Sequence, residues 1–538
     1  MLESAMDRFK LLDQTAMKTL EAISPLATCL VKNDEIFVPL LWIVLIYTVL
    51  NAFYNLYLHP LSRFPGPKRW QCNYLFLFKA SVEGKLEESI KTFHEKYGPV
   101  VRYSLNNLSF TPPMAWRDIY GFQDNAPAKD PSFYGIIQLS RSKSHSIFTV
   151  GEEGHPHVRK ALSYAFSERA LREQEPLVKA YVDLLIQRLS GLAASSTPAD
   201  LVEWYNFTTF DIIGDLAIGQ SFSCLRGSKY HEWVHGFWKT IKLGAFVRAM
   251  AICTHPALLG LLRYLAPTSL KGARRRHLEF VGQSTEGRLA QGILREKPDF
   301  ISFLLKSNNN PNKTGQKPLS ADEVEANINF LLLAGTETTA TGLSGTTYWL
   351  LKNQEALQKA TNEVRGAFQR EDHITFAAAA ERLPYLQACI AEGLRIYPPG
   401  PVAPPRRTNK GTTTVIAGHA VPGDVSVGVH MWSASHSAEN FQRADEFIPE
   451  RWLEATDESS PFHGDQLAAS QPFSFGPRNY LGRPFAYSEM RVILARVLWN
   501  FDLKLLPASD DWEKQKVYTL WDKDPLMVRL TQRVDIDR

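Results

Sequence analysis

The loop Phe473 to Gly482, FSFGPRNYLG, gathers residues whose types suit the cradling of a flat ligand. Gly476 can take the positive φ of a tight turn, and Gly482 lets the helix pattern that follows begin close against such a ligand, with Pro484 acceptable in its first turn. Arg478, between the two glycines, is a natural partner for a carboxylate. Upstream, VEANINFLLLAGTETTATGLSGTTYWLL is an apolar helix pattern whose centre, Ala334 to Thr339, turns small and polar. Gly335 costs that helix about 1 kcal/mol relative to Ala, and threonine hydroxyls can bond back to a carbonyl one turn earlier and bend it. A bend there opens a groove over a flat ligand. The same cluster also suits the close packing of two helices.

Glu392 and Arg395 in EGLR stand three apart, so on a helix they share one face and can pair. Most such pairs are surface pairs worth about 0 to 1 kcal/mol. Arg451 in FIPERW offers a second contact that would turn the pair into a buried network.

These residues need a scaffold, and apolar periodicity supplies one. It predicts helices over Leu86–Tyr97, Glu168–Leu192, Tyr205–Ile218, Tyr230–Leu243, Ala321–Asn353 and Tyr385–Ile396. Strand patterns are short: Val100–Ser104, Thr412–Ile416 and Val425–His430, each flanked by Gly, Pro or Asn. Polar loops are expected at Ser307–Ser320 and Glu454–Gln471. The fold class is therefore mainly α with small β-sheets.

From Ile36 to Leu58 no Asp, Glu, Lys or Arg occurs, a run long enough to cross a bilayer as a helix, with Trp42, Tyr54 and Tyr57 as interfacial aromatics. A secretory leader would be shorter and nearer the start. Arg63, Lys68 and Arg69 follow it and Asp34 and Glu35 precede it, so the positive-inside tendency puts the large domain in the cytosol. Residues 1–35 are then a lumenal tail, 36–58 a single-pass anchor and 59–538 one large domain. Pro60, Pro65 and Pro67 make the junction a stiff elbow. The sequons at Asn107, Asn206 and Asn312 would face the cytosol and stay unglycosylated.

A net charge of +4 over 538 residues gives no reason to expect nucleic-acid binding. The one basic run, Arg274 to Arg276, reads as a solvated face. Five cysteines, without zinc-type spacing, suit a reducing compartment and buried free thiols.

The Pro-rich elbow, AGTETT, ExxR, PERW and the Phe473–Gly482 loop stand in the order of the cytochrome P450 family, which the chain resembles over nearly its whole length. Segments FDIIGDLAIGQSF and ARVLWNFDLKL look similar to fungal members that modify secondary metabolites. The resemblance implies that fold, a haem cofactor, molecular oxygen, a lipophilic small-molecule substrate and electrons from NADPH through a membrane reductase. It also implies the endoplasmic reticulum membrane. It gives Phe473, Gly476, Arg478 and Gly482 a place in the haem loop, with Arg478 on a propionate, and puts Gly335 over the haem. It gives His155 and Arg159 a reach to the propionates, although that pair also suits the surface, and one of Arg406 and Arg407 joins them. Glu392, Arg395 and Arg451 become a scaffold, Thr338 the hydroxyl beside bound dioxygen and Glu337 its proton-relaying acid. Lys129–Val150 becomes a candidate substrate wall.

One fixed position departs from the family. Where the iron-binding cysteine stands, this chain has Tyr480. A phenolate can ligate haem iron, but with an ordinary pKa of about 10 it needs the metal's charge or a cation such as Arg478 to ionise. Its oxygen also reaches much farther from the backbone than sulfur does, so loop or haem must move, or the side chain must swing aside. Cys389 reads as core and offers no substitute. Three readings follow: an altered or engineered chain of a working oxygenase lineage, since one base change converts Cys to Tyr; a haem protein of peroxidase or isomerase chemistry; and a non-catalytic ligand-binding protein.

Overall fold

The computed structural model describes residues 34–123, 125–134, 141–142, 144–231, 244–252, 268–292, 298–308 and 318–533. Residues 1–33, most of the helix expected at 230–243, Asn312, Cys29, Cys253 and parts of the segments 129–150 and 307–320 lie outside the described residues.

The first described helix runs from Asp34 to Phe53 and ends in a single π-helical turn, Tyr54–Leu58. Among the described residues one stretch, Leu41–Leu58, is long and apolar enough to cross a membrane, and most of its large apolar side chains are exposed. The elbow beyond it is folded onto the domain. Leu61 and Phe64 are buried with Val100, Leu108 and Trp116. Arg102 has no exposed surface, and its guanidinium donates to Asn55 O at 2.7 Å and to Leu105 O at 2.8 Å. That cation satisfies a carbonyl at the C-terminal end of this helix, where the helix dipole favours positive charge.

The strands are short, and run in chain order as β1 (Val100–Ser104), β2 (Asn107–Phe110), β3 (Ala128–Lys129), β4 (Ala199–Asp200), β5 (Arg406–Arg407), β6 (Thr414–Ile416), β7 (His419–Val421), β8 (Ser426–Val429), β9 (Phe501–Leu505), β10 (Lys516–Tyr518), β11 (Leu520–Asp522) and β12 (Met527–Gln532). The largest sheet has the order β1-β2-β8-β5-β3, and β4-β12-β9 form a second. Helices make the rest, as the class expected from periodicity requires. The helix Leu86–Tyr97 has the expected limits. Leu201–Ile218 begins a turn earlier than its pattern, because the Asp200 carboxylate accepts from Val202 N at 3.0 Å and caps it. Asn107 and Asn206 are both buried, so neither sequon is accessible in the folded domain whichever side of the membrane it faces.

The central helix, Ala321–Lys352, opens on a capping box between Ser320 and Glu323. It is buried along most of its length and packs against Leu201–Ile218, Pro384–Ile396 and Arg483–Asn500. Glu392, on Pro384–Ile396, pins that helix to the segments that lead into the Phe473–Gly482 loop. Arg395 donates to both its oxygens, at 2.7 and 2.8 Å, and Arg451 Nε, Trp452 Nε1 and Ile448 N add bonds of 3.1, 2.8 and 2.9 Å. Arg395 also donates to the carbonyls of Ala444 and Glu446, and Arg451 pairs with Asp465. Burial alone would raise the Glu392 pKa, but the two guanidiniums hold it below the ordinary value.

Removing one partner from such a network leaves a buried charge uncompensated, at a cost of about 3–5 kcal/mol. Glu392→Ala is therefore expected to lower the thermal midpoint of the detergent-solubilised protein sharply and to reduce its folded yield. An unchanged midpoint would show that the network does not bear on stability.

Candidate active site

In the loop, Gly476 has φ +76°, and a Cβ there would lie 2.0 Å from Tyr120 O, so both conformation and space demand glycine. Tyr480 N donates to Phe473 O at 2.8 Å, and the two rings stack with centroids 6.0 Å apart. Gly482 caps the helix Arg483–Asn500 with Pro484 in its first turn. A Cβ on Gly482 would meet Tyr480 Cε1 at 3.0 Å, so this glycine makes room for the phenol. Arg159, on the helix His155–Ser163, donates to Asn479 O at 2.8 Å and Asn479 Oδ1 at 2.6 Å and so holds the loop's backbone beside Tyr480.

The central helix passes over the loop without a break, and its threonines bond back as their spacing implied. Thr336 Oγ1 donates to Leu332 O at 3.0 Å, and Thr338 Oγ1 to Ala334 O at 2.6 Å. Ala334 O takes a second hydroxyl, that of Tyr480, at 3.1 Å. Gly335 faces the helix Leu201–Ile218: a Cβ would sit 2.7 Å from Ile213 Cδ1, so close helix packing, rather than an open groove, explains its side of the turn. Glu337 is fully buried, pairs with Lys523 and accepts from Thr341 at 3.0 Å, while its Oε2 has no hydrogen-bond partner. Burial pushes its pKa up, and Lys523 opposes the rise.

At one edge of the site cations converge. Pairing of β3 with β5 places Lys129 opposite Arg406 and Ala128 opposite Arg407. That register settles which arginine turns inward. Arg407 pairs with Asp130 and Asp424, whereas Arg406 is buried over the rings of Tyr120 and Tyr134 with Nε unpartnered. Lys129 Nζ donates to Val150 O at 2.7 Å, and Arg478 pairs at 3.0 Å with Glu152, which is solvent-exposed. Burial, with Arg478 and Arg406 nearby, brings Lys129 down to about 7. Burial and the charges of Arg478, Lys129 and Arg159 bring His155 to about 4. A pocket edge with this much unbalanced positive charge is built for an anion.

The family model for cytochrome P450 matches residues 64–529. The chain is a cytochrome P450. It is 43% identical over 486 residues to a trichothecene C-4 hydroxylase of Trichoderma arundinaceum, covering 90% of this chain and 95% of the relative. It is 41% identical over 495 residues to the cytochrome P450 monooxygenase olcB of Penicillium canescens (91% and 97% covered), and 43% over 484 residues to the monooxygenase astJ of Aspergillus oryzae (89% and 94%). Cytochromes P450 use haem iron and take electrons from NADPH through a reductase partner.

Two ends of the site answer differently to a haem. The cation-lined edge fits its carboxylates, since Arg406 Nε is buried without a partner and Lys129 is partly desolvated beside Arg478 and Arg406. The gap between loop and central helix does not fit. The Tyr480 phenol already crosses it and ends in a hydrogen bond on Ala334. As folded, this P450 has no room for a flat ring between those two residues.

Sequence reasoning missed two residues of this site, Lys523 and Glu489, and placed Lys129 only at the start of the candidate substrate wall. Neither lysine's role gave a local signal, because each is placed by a tertiary contact. Glu489 did give one, as a lone acid among apolar residues of Arg483–Asn500. It is fully buried one wall away from Tyr480, with Oε2 unpartnered, and burial lifts it from 4.5 to about 8 against the pull of the Thr339 hydroxyl. A carboxyl raised on folding stabilises the fold fully below its unfolded pKa and loses that effect as pH climbs through its folded one. The Glu489 contribution to stability is therefore expected to decline between pH 4.5 and about 8, set against the opposite contribution of buried histidines such as His155 below pH 6.5. Glu489→Gln should flatten the decline when thermal midpoints are measured across that range, and an unaltered slope would count against a protonated Glu489.

Proposed function

We propose that this chain is a membrane-anchored P450 of the fungal secondary-metabolite type, built to oxidise a lipophilic small molecule, and that Tyr480 cripples its hydroxylation. The domain assignment that goes with this reading is a lumenal tail to residue 35, an anchor over 36–58 and a cytosolic P450 domain over 59–538 on the endoplasmic reticulum. The observation that carries it is the convergence of buried Arg406 with half-buried Lys129 and Arg478 at the edge of the site, an anion-seeking arrangement in which, among the described residues, Arg478 is answered by the solvent-facing carboxylate of Glu152 and Arg406 Nε has no partner. His155 and Arg159 complete that edge, Arg159 by fixing Asn479. Glu392, Arg395 and Arg451 serve as the scaffold beneath. Thr338 and Glu337 handle protons on the opposite side, and Lys523 fixes the Glu337 carboxyl.

Tyr480 supports the second half of the reading. A cysteine here would supply the thiolate that pushes electron density onto haem iron and favours O–O cleavage. The phenol does not, since burial lifts its pKa well above the ordinary value and its proton is engaged by Ala334. The same placement favours a second reading, a P450-fold protein without oxygenase activity.

The reduced carbon-monoxide spectrum separates these readings. The chain itself is expected to lack the thiolate-type Soret band, and Tyr480→Cys to acquire it together with NADPH-dependent oxidation of lipophilic test substrates. A thiolate-type band in the unaltered chain would mean that another sulfur reaches iron and would overturn the crippling. Should Tyr480→Cys remain free of haem when the cofactor is supplied, the cofactor assignment itself is wrong.

A further inference from the structure

The contacts of Tyr480 describe a side chain that belongs where it is. Its ring stacks on Phe473, fits the space left by Gly482 and borders a small cavity lined also by Phe166, Ile213, Leu331 and Phe485. Its hydroxyl reaches the central helix at Ala334. The cavity left beside it has ≈ 10 Å³ accessible to water, room for about one molecule. Thus the proximal loop and the central helix, which in a haem protein of this fold need the cofactor between them, are joined directly by one residue. The bond is local to neither element, since 146 residues separate its ends.

We propose that Tyr480 takes over the structural place of the haem: the phenol ties the loop to the central helix, so the chain reaches its native tertiary structure without the cofactor, and haem enters only if the phenol withdraws. This rests on reading the loop and the Ala334 turn as the two sides of the family's haem slot. Three features make the tie adequate. The phenol fills apolar space that a cysteine would leave as a cavity, and deleting such volume destabilises by the lost burial plus the void. Its O–H satisfies a carbonyl inside the protein. The loop it holds is independently fixed by Arg159 on Asn479 and by the glycine turn against Tyr120.

The test uses the full chain in detergent, purified from cells grown with and without a haem precursor, with haem content and thermal midpoint measured on each preparation. The unaltered chain is expected to come out colourless from both cultures with one cooperative transition at the same temperature. Haem-free Tyr480→Cys should melt several degrees lower, or fail to fold unless haem is supplied, and should gain in midpoint with haem. Tyr480→Phe, which keeps the ring and loses the hydroxyl, should fall between them. The proposal is overturned if the unaltered chain binds one haem per molecule and gains stability from it, or if haem-free Tyr480→Cys melts with the unaltered chain. Failure of the oxygenase reading looks different: Tyr480→Cys would load haem yet show neither the thiolate-type band nor product, and the tie would stand.

Discussion

Everything near the site hangs from one buried carboxylate. Glu392 carries charge in a place without water, and two guanidiniums, an indole N–H and a backbone N–H turn that liability into a joint. Isolated, such a charge would be neutralised or expelled. Paired on both oxygens, it fixes the helix Pro384–Ile396 against Ile448–Trp452, and through Arg451 and Asp465 it fixes the chain just before the loop. The loop therefore starts from a rigid frame, which is why a turn as demanding as that at Gly476 can be held against Tyr120.

Around this joint the buried charges fall into two kinds. Some are matched within the chain: Glu337 with Lys523, Arg407 with Asp130, Arg288 with Asp299. Others are unmatched. Arg406 lies on aromatic faces with an unused donor, and Lys129 is displaced toward neutrality by burial and by the cations beside it. Unmatched buried charge is costly for folding alone. Its concentration at one edge marks the part of the molecule shaped for a partner, while the matched pairs belong to the scaffold. Arg102 is a third case, a buried cation answered by carbonyls at the end of the apolar N-terminal helix and beside β1, which ties that helix to the domain.

Tyr480 sits between these two worlds. The position it occupies lies on the loop that the matched charges brace, and its hydroxyl lands on the helix turn whose threonines bend back on their own carbonyls. A longer side chain than cysteine does not simply add a different ligand atom. It changes what the two halves of the site touch, from a space to be filled into a contact already made, and the glycine at 482 that would admit a flat ring admits the phenol instead.

Much of this was legible in the residues. Period and caps determined the long helices, because helical spacing is a local property: the limits of Leu86–Tyr97 and the start of the central helix follow from neighbours within one turn. The positive φ of Gly476, the pairing of Glu392 with Arg395 and the departure at 480 were equally local. The register that turns Arg406 inward, the arrival of Lys129 and Lys523, and the landing of Tyr480 on Ala334 were decided only by tertiary structure. Each depends on two segments far apart in the chain meeting in one orientation, and no pattern within either segment encodes where the other will lie.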